Sequence, residues 1–249
     1  MTRVHPTADG RVERLPLLGL FMVMAAKQND GHRPSTGRYL DQEKVRKALD
    51  SAQAHGASYA EVRVVALTES SVAMRDGVLE RAIPGQELGM TLRVLADGAW
   101  GVHSTTDLAS LSDQIESTTR LAKAVAKRRS SKERPIGLAE VPVLEDETHW
   151  RSVLDVRDTD LDQKIALMND MYHGASGHED IVSIRTGWSD EHIHTELMTT
   201  EGMDRVWSFQ RSLVNAMVTA RRDGEVVSYR PRHGGQGGLE IIQSADLVG

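Results

Sequence analysis

Three Asp-Gly pairs constrain this chain more than any other feature: Asp76-Gly77, Asp97-Gly98 and Asp223-Gly224. A type I′ hairpin turn needs φ > 0 at both central residues, and Asp-Gly meets that demand at low steric cost. The first pair falls between residues 72–75 and 78–81, the second between 92–96 and 99–103, and both sets of flanks are strand-like. Around them β-branched and apolar residues alternate with polar ones, the period of a half-buried strand. The pattern predicts strands at 60–67, 71–75, 78–82, 88–95 and 100–104. A second series follows at 181–188, 193–199, 206–221 and 225–230, with Glu201-Gly202 as a further turn.

Helical periodicity interrupts these strands in three places. Val45, Ala48, Leu49 and Ala52 form one apolar face over residues 41–55, with Asp41 as N-cap and Gly56 as the terminating glycine. A second helix is predicted from the capping pair Thr106-Asp107 to about Arg129, its inner face being Leu108, Leu111, Ile115, Ala122 and Val125/Ala126. The third covers residues 161–172, capped by Asp160, with Leu161, Ile165, Leu167/Met168 and Met171/Tyr172 inward. The expected class is α+β: two α+β units, each a mostly antiparallel sheet with one or two packed helices.

Composition narrows the function classes. A net charge of −6 argues against a general nucleic-acid binder, which carries a clustered basic face. The chain has no cysteine, so disulfides and thiolate-bound zinc are excluded, and a cytoplasmic location is expected. The apolar run at 15–26 is shorter than the roughly 20 residues of a bilayer span, so no membrane contact is expected. Residues 1–39 are expected to be a disordered or misassigned extension, with Met24 opening the real product. The basic run KRRSSKER at 127–134 reads as a solvated linker.

Several groups could carry chemistry. Asp190, His192, His194 and Glu196 sit at alternate positions of one predicted strand, so all four share a face, with Ile193 and Leu197 on the other. Imidazoles and carboxylates suit Zn²⁺ or Mn²⁺, which makes His192 and His194 the candidate metal ligands. An i, i+2 pair converges poorly on one ion, however, and the expectation is a solvent-facing surface. The Gly177-His178-Glu179-Asp180 stretch reads as a connector. Gly234, Gly235, Gly237 and Gly238 lack the Lys-Ser/Thr closure of a phosphate loop and are read as a turn or a close backbone approach. No GxSxG occurs, so nucleophilic serine catalysis has no support.

GASYAEVRV at 56–64, RDGVLE at 75–80 and above all GMTLRVLADGAWGVHSTTDL at 89–108 resemble the N-terminal half of the TldD/PmbA family. Members are zinc metalloproteases, called modulators of DNA gyrase in older naming. The basic run and the element pattern are expected to divide the chain into a TldD/PmbA-like N-terminal α+β domain at 40–130, a linker at 131–153 and a second α+β domain at 154–249. The resemblance implies a zinc-binding HExxxH helix beyond the glycine-rich strand end, and neither HExxxH nor HExxH occurs in the sequence. The expectation is therefore a non-catalytic half acting through subunit assembly and peptide guidance, with no cofactor of its own. Its partners would be a TldD/PmbA-like subunit or the missing C-terminal catalytic half, as in a dimer, together with a peptide substrate. Because the glycine-rich region leads toward the catalytic half in relatives, its four glycines are the expected peptide or partner interface. The alternatives are a stand-alone metal-dependent hydrolase using His192 and His194, or a truncated product without function.

Overall fold

The computed structural model describes residues 37–128, 136–150 and 152–243. The apolar run at 15–26, Met24 and residues 129–134 of the basic run lie outside the described residues.

In chain order the elements are α1 (Gln42–Ala54), β1 (Ala57–Arg75), β2 (Val78–Ala96), β3 (Ala99–Thr105), α2 (Leu111–Arg128) and β4 (Glu145–His149). They continue with α3 (Leu161–Ala175), β5 (Ile181–Thr199), β6 (Asp204–Arg222), β7 (Glu225–Tyr229), β8 (Arg232–Gln236) and the short α4 (Glu240–Gln243). The class is α+β, as expected. Strands of both sequence segments join in one eight-stranded sheet of order β3-β2-β1-β5-β6-β4, with β7 and β8 also paired to β6. The seam is the antiparallel β1–β5 ladder, which runs from Glu61↔Thr199 to Arg75↔Arg185. Among the described strands only β4 pairs parallel, along the first part of β6.

The Asp-Gly turns behave as the sequence requires. Asp76, Asp97 and Asp223 take φ of 50°, 53° and 52°, each followed by a glycine with positive φ. Between the turns, strands predicted as separate pieces fuse. Residues 68–70 continue β1, and Pro84 sits inside β2. Proline is tolerated there because β3 pairs only with Met90–Ala96, leaving that part of β2 with one free side.

All the helices that build the core lie on one face. Even-numbered β1 residues Ala60, Val62 and Val64 meet Val45, Ala48, Leu49, Leu111 and Ile115 in one cluster. Val72 and Met74, also even-numbered, meet Met168, Trp188 and Val214 in a second. Helix α2 starts four residues later than its predicted cap, because Asp107 instead accepts the Ala109 N–H and closes a preceding turn. It also buries Thr118 and Thr119 in place of Val125, their hydroxyls satisfied by the carbonyls of Gln114 and Ile115. Gly101 makes this packing possible, since a Cβ there would lie 2.9 Å from the Ala122 nitrogen.

The odd-numbered face is different. Arg63, Val65, Leu67, Glu69 and Ser71 of β1 share it with Ile193, Glu191 and Ser189 of β5 and with Phe209, Arg211 and Leu213 of β6. Neither core cluster draws on it. No helix among the described residues is long and apolar enough to cross a membrane.

Candidate functional site

The set Asp190, His192, His194 and Glu196 shares one face of β5, as alternation predicts, but that face is the covered one. Asp190, His192 and Glu196 are only 6%, 7% and 5% exposed, which corrects the solvent-face expectation. The reason is the cover. Helix α3, residues 152–160 and residues 38–40 lie over this part of the sheet, and the sequence pattern gave those last two segments no packing role.

The covered face is a polar layer whose groups are mutually satisfied. Lys164, missed by the helical pattern, drives its ammonium inward to within 2.6 Å of Asp190 Oδ2, 2.9 Å of Ser70 Oγ and 3.0 Å of the Val156 carbonyl. Asp190 Oδ2 also accepts from the Ser70 hydroxyl and from the Trp188 indole. Further along, Gln210 accepts the Val156 N–H and donates to Ser152, so residues 152–156 are tied down to β6. Glu196 accepts from the Tyr39 N–H and lies 3.1 Å from His194 Nε2, while the Tyr39 ring packs edge-on to His194. His149 from β4 stacks on His194 at 6.4 Å, with Nδ1 2.7 Å from Ser208 Oγ and Nε2 2.6 Å from Glu147.

Charges near this layer are balanced locally. Burial alone would raise the Asp155 carboxyl, but the Arg157 guanidinium and the Arg157 backbone N–H outweigh it and hold Asp155 at about 2. Its neighbour His192 adds to the same direction. The hydrogen bond from His149 lowers the Glu147 carboxyl.

Among the described residues no group of three or more His, Cys, Asp or Glu gathers as a metal would require. His194 Nε2 already faces Glu196. The bonds made by Lys164, Gln210 and Glu196 make the layer a polar clamp between helix, loop and sheet.

The glycine-rich segment is a strand in place of a turn. In β8, Gly234 pairs with Leu213 and Gly235 with Ser212, antiparallel to β6. Gly237 and Gly238 follow it, and a Cβ on Gly238 would collide with the Leu154 carbonyl oxygen. The close approach is thus to this chain's own backbone, fixed by the Leu239 N–H bond to the same carbonyl at 3.0 Å. β8 pairs with β6 on one side only, so its other edge has no strand partner among the described residues. Beside it on the odd face runs a shallow groove of ≈ 530 Å³, lined by Glu69, Ser71, Ser189, Arg211, Leu213 and Gly234–Gln236 among others. Gly177–Asp180 remains a connector between α3 and β5, with Asp180 paired to Arg222.

Comparisons with known proteins agree with this fold. Residues 60–127 match the family description PmbA/TldA metallopeptidase domain 1, and residues 154–248 match the PmbA/TldA metallopeptidase central domain. A metalloprotease of Methanothermobacter thermautotrophicus is 27% identical over 192 residues, covering 76% of this chain and 40% of that protein. A Thermotoga maritima protein described as a modulator of a DNA gyrase superposes with a TM-score of 0.63 at 18% identity, over 78% of this chain and 43% of its own. TldE from Thermococcus kodakarensis gives 0.59 at 13% identity, over 80% and 45%. The chain therefore spans less than half the length of these relatives.

Proposed function

Because the chain belongs to the PmbA/TldD metallopeptidase family, we propose that it serves as a non-catalytic part of such a peptidase, guiding peptides and assembling with a catalytic subunit. The observation that carries this reading is a β8 edge with no strand partner among the described residues, beside an open-faced groove. An extended peptide can add to such an edge through main-chain hydrogen bonds, leaving alternate side chains to meet the sheet face. Gly234 and Gly235 keep that border low, and Gly237 and Gly238 anchor its end.

On this reading zinc belongs to a partner bearing HExxxH, the assembly is a dimer or similar complex, and the setting is cytoplasmic. The experiment is a peptidase assay on the purified chain with added Zn²⁺, alone and mixed with an HExxxH-bearing subunit. The expected result is no turnover alone and altered peptide turnover in the mixture. Robust turnover by the chain alone, abolished by His192→Ala and His194→Ala, would replace this reading with the stand-alone hydrolase.

A further inference from the structure

The odd face of the sheet carries a concentration of positive charge that the fold itself does not use. Arg185 of β5, with Arg230 and Arg232 at the β7–β8 connection, lines a concavity of ≈ 390 Å³ together with Asn215, Met217 and Pro231. Among the described residues none of these three arginines has an ion-pair partner. Arg75, which could relieve nothing, stands directly across the β1–β5 ladder from Arg185 and is itself paired with Glu80 at 2.8 Å. Like charges placed directly opposite one another destabilise a sheet. Three exposed guanidiniums with no ion-pair partner among the described residues thus surround one hollow, in a chain of net charge −6.

Register connects this hollow to the groove beside β8. Asn215 pairs with Arg232, and two residues on along the same face Leu213 pairs with Gly234. The floor between them is low, since Gly187 and Ser189 of β5 face Ala73 and Ser71 of β1. At the far end the charge reverses: Glu69 stands opposite Glu191, which pairs with Arg211 at 2.6 Å, and burial together with Glu87, Glu191 and Asp190 raises the Glu69 carboxyl. From Glu69 to Arg75 the strand covers about 20 Å. That acidic far end repels a polyanion running the length of the groove, which disfavours nucleic acid or polyphosphate. A ligand with one anionic end fits both poles.

We propose that Arg185, Arg230 and Arg232 form a carboxylate subsite that takes the free C-terminus of a short extended peptide lying along β8. Planar guanidiniums bind a carboxylate through paired N–H donors. The Asn215 side chain, seated over Gly187, offers an amide beside them. The peptide part of this inference rests on the peptide-guidance reading; the anion subsite does not.

The test uses the full chain and an N-terminally dye-labelled neutral hexapeptide in three forms: free acid, C-terminal amide, and amide with glutamate as last residue. Fluorescence anisotropy should show the free acid binding about tenfold more tightly than the amide at low salt. In a chain carrying Arg185→Gln, Arg230→Gln and Arg232→Gln the difference should vanish, while Arg222→Gln, a charge change outside the hollow, should preserve it. Equal affinity for acid and amide in the wild-type chain would overturn the subsite and leave strand addition standing. The glutamate amide binding as tightly as the free acid would overturn the C-terminal assignment and move the carboxylate to a side chain. If no peptide binds, the guidance reading fails, and succinate decides the rest. A rise in melting temperature with succinate that is lost in the triple variant supports the subsite, and no rise overturns it.

Discussion

Lys164→Met removes one half of the buried pair that joins α3 to the sheet, and its consequences can be worked from the structure. The Lys164 and Asp190 side chains are 4% and 3% exposed and 2.6 Å apart. At an effective dielectric of about 20 the attraction at that separation is about 6 kcal/mol, most of it offset by the cost of taking both charges out of water. Removing the ammonium leaves the carboxylate buried with only the Ser70 hydroxyl and the Trp188 indole as donors. It also strips a donor from the Val156 carbonyl. The expected loss is about 3–5 kcal/mol. In urea, with a slope of about 2 kcal/mol/M, the unfolding midpoint should fall by about 2 M. Lys164→Met combined with Asp190→Asn removes both charges while keeping an acceptor for Ser70 and Trp188, so the double variant should recover most of the loss. A single variant costing less than about 1 kcal/mol, or a double variant no more stable than the single, would refute the reasoning that an uncompensated charge sets the penalty.

Three further outcomes follow from the same geometry. Gly238→Ala forces a Cβ against the Leu154 carbonyl, so thermal unfolding should reveal a loss of about 1–3 kcal/mol, whereas Gly177→Ala, with open space around it, should cost far less. Asp155, held at about 2 by Arg157, is a depressed carboxylate. Its stabilising contribution is complete above the unfolded value near 4 and is lost as pH falls through about 2, so Asp155→Asn should flatten the stability–pH curve over that window, measured by urea titration. Gly224→Ala places a side chain at φ +83° in the tight β6–β7 turn, and a loss of about 1 kcal/mol by denaturant melting is expected.

Local chemistry made the turns and helix faces legible in advance. Asp76, Asp97 and Asp223 take positive φ because Asp-Gly tolerates it, and Val45, Ala48, Leu49 and Ala52 are buried because their spacing gives one stripe. The Asp160 cap of α3 is likewise a matter of neighbouring residues. Lys164 was not legible. On the helix it sits beside Ile165 like any amphipathic lysine, and its partners Ser70 and Asp190 come from two distant strands. For the same reason residues 68–70 read as a break between two predicted strands: Ser70 continues β1 instead, its hydroxyl binding Asp190 across the ladder.

Alternation along β5 separates two sets of residues, but nothing in its period states which set faces inward. Polar content suggested that Asp190, His192, His194 and Glu196 face water, and composition usually decides that question correctly. Here cover decides it. Tyr39 over Glu196, residues 152–156 over Gln210, and Lys164 over Asp190 close the polar face by supplying partners to those three buried groups. Ile193 and Phe209, apolar and paired across β5–β6, are left half-buried on the face that no helix among the described residues covers. A buried polar layer is tolerable only when each member is satisfied, and a half-satisfied one would be worse than an apolar core. Loss of Gln210 therefore makes the sharper test of this inversion than loss of either histidine. Gln210→Ala orphans the Val156 N–H and releases Ser152 while leaving the Lys164–Asp190 pair in place. Hydrogen exchange should then quicken at residues 152–160 ahead of the β1–β5 ladder. Exchange unchanged in that segment would mean that the loop is held by its apolar contacts, and that the polar layer does not close the face.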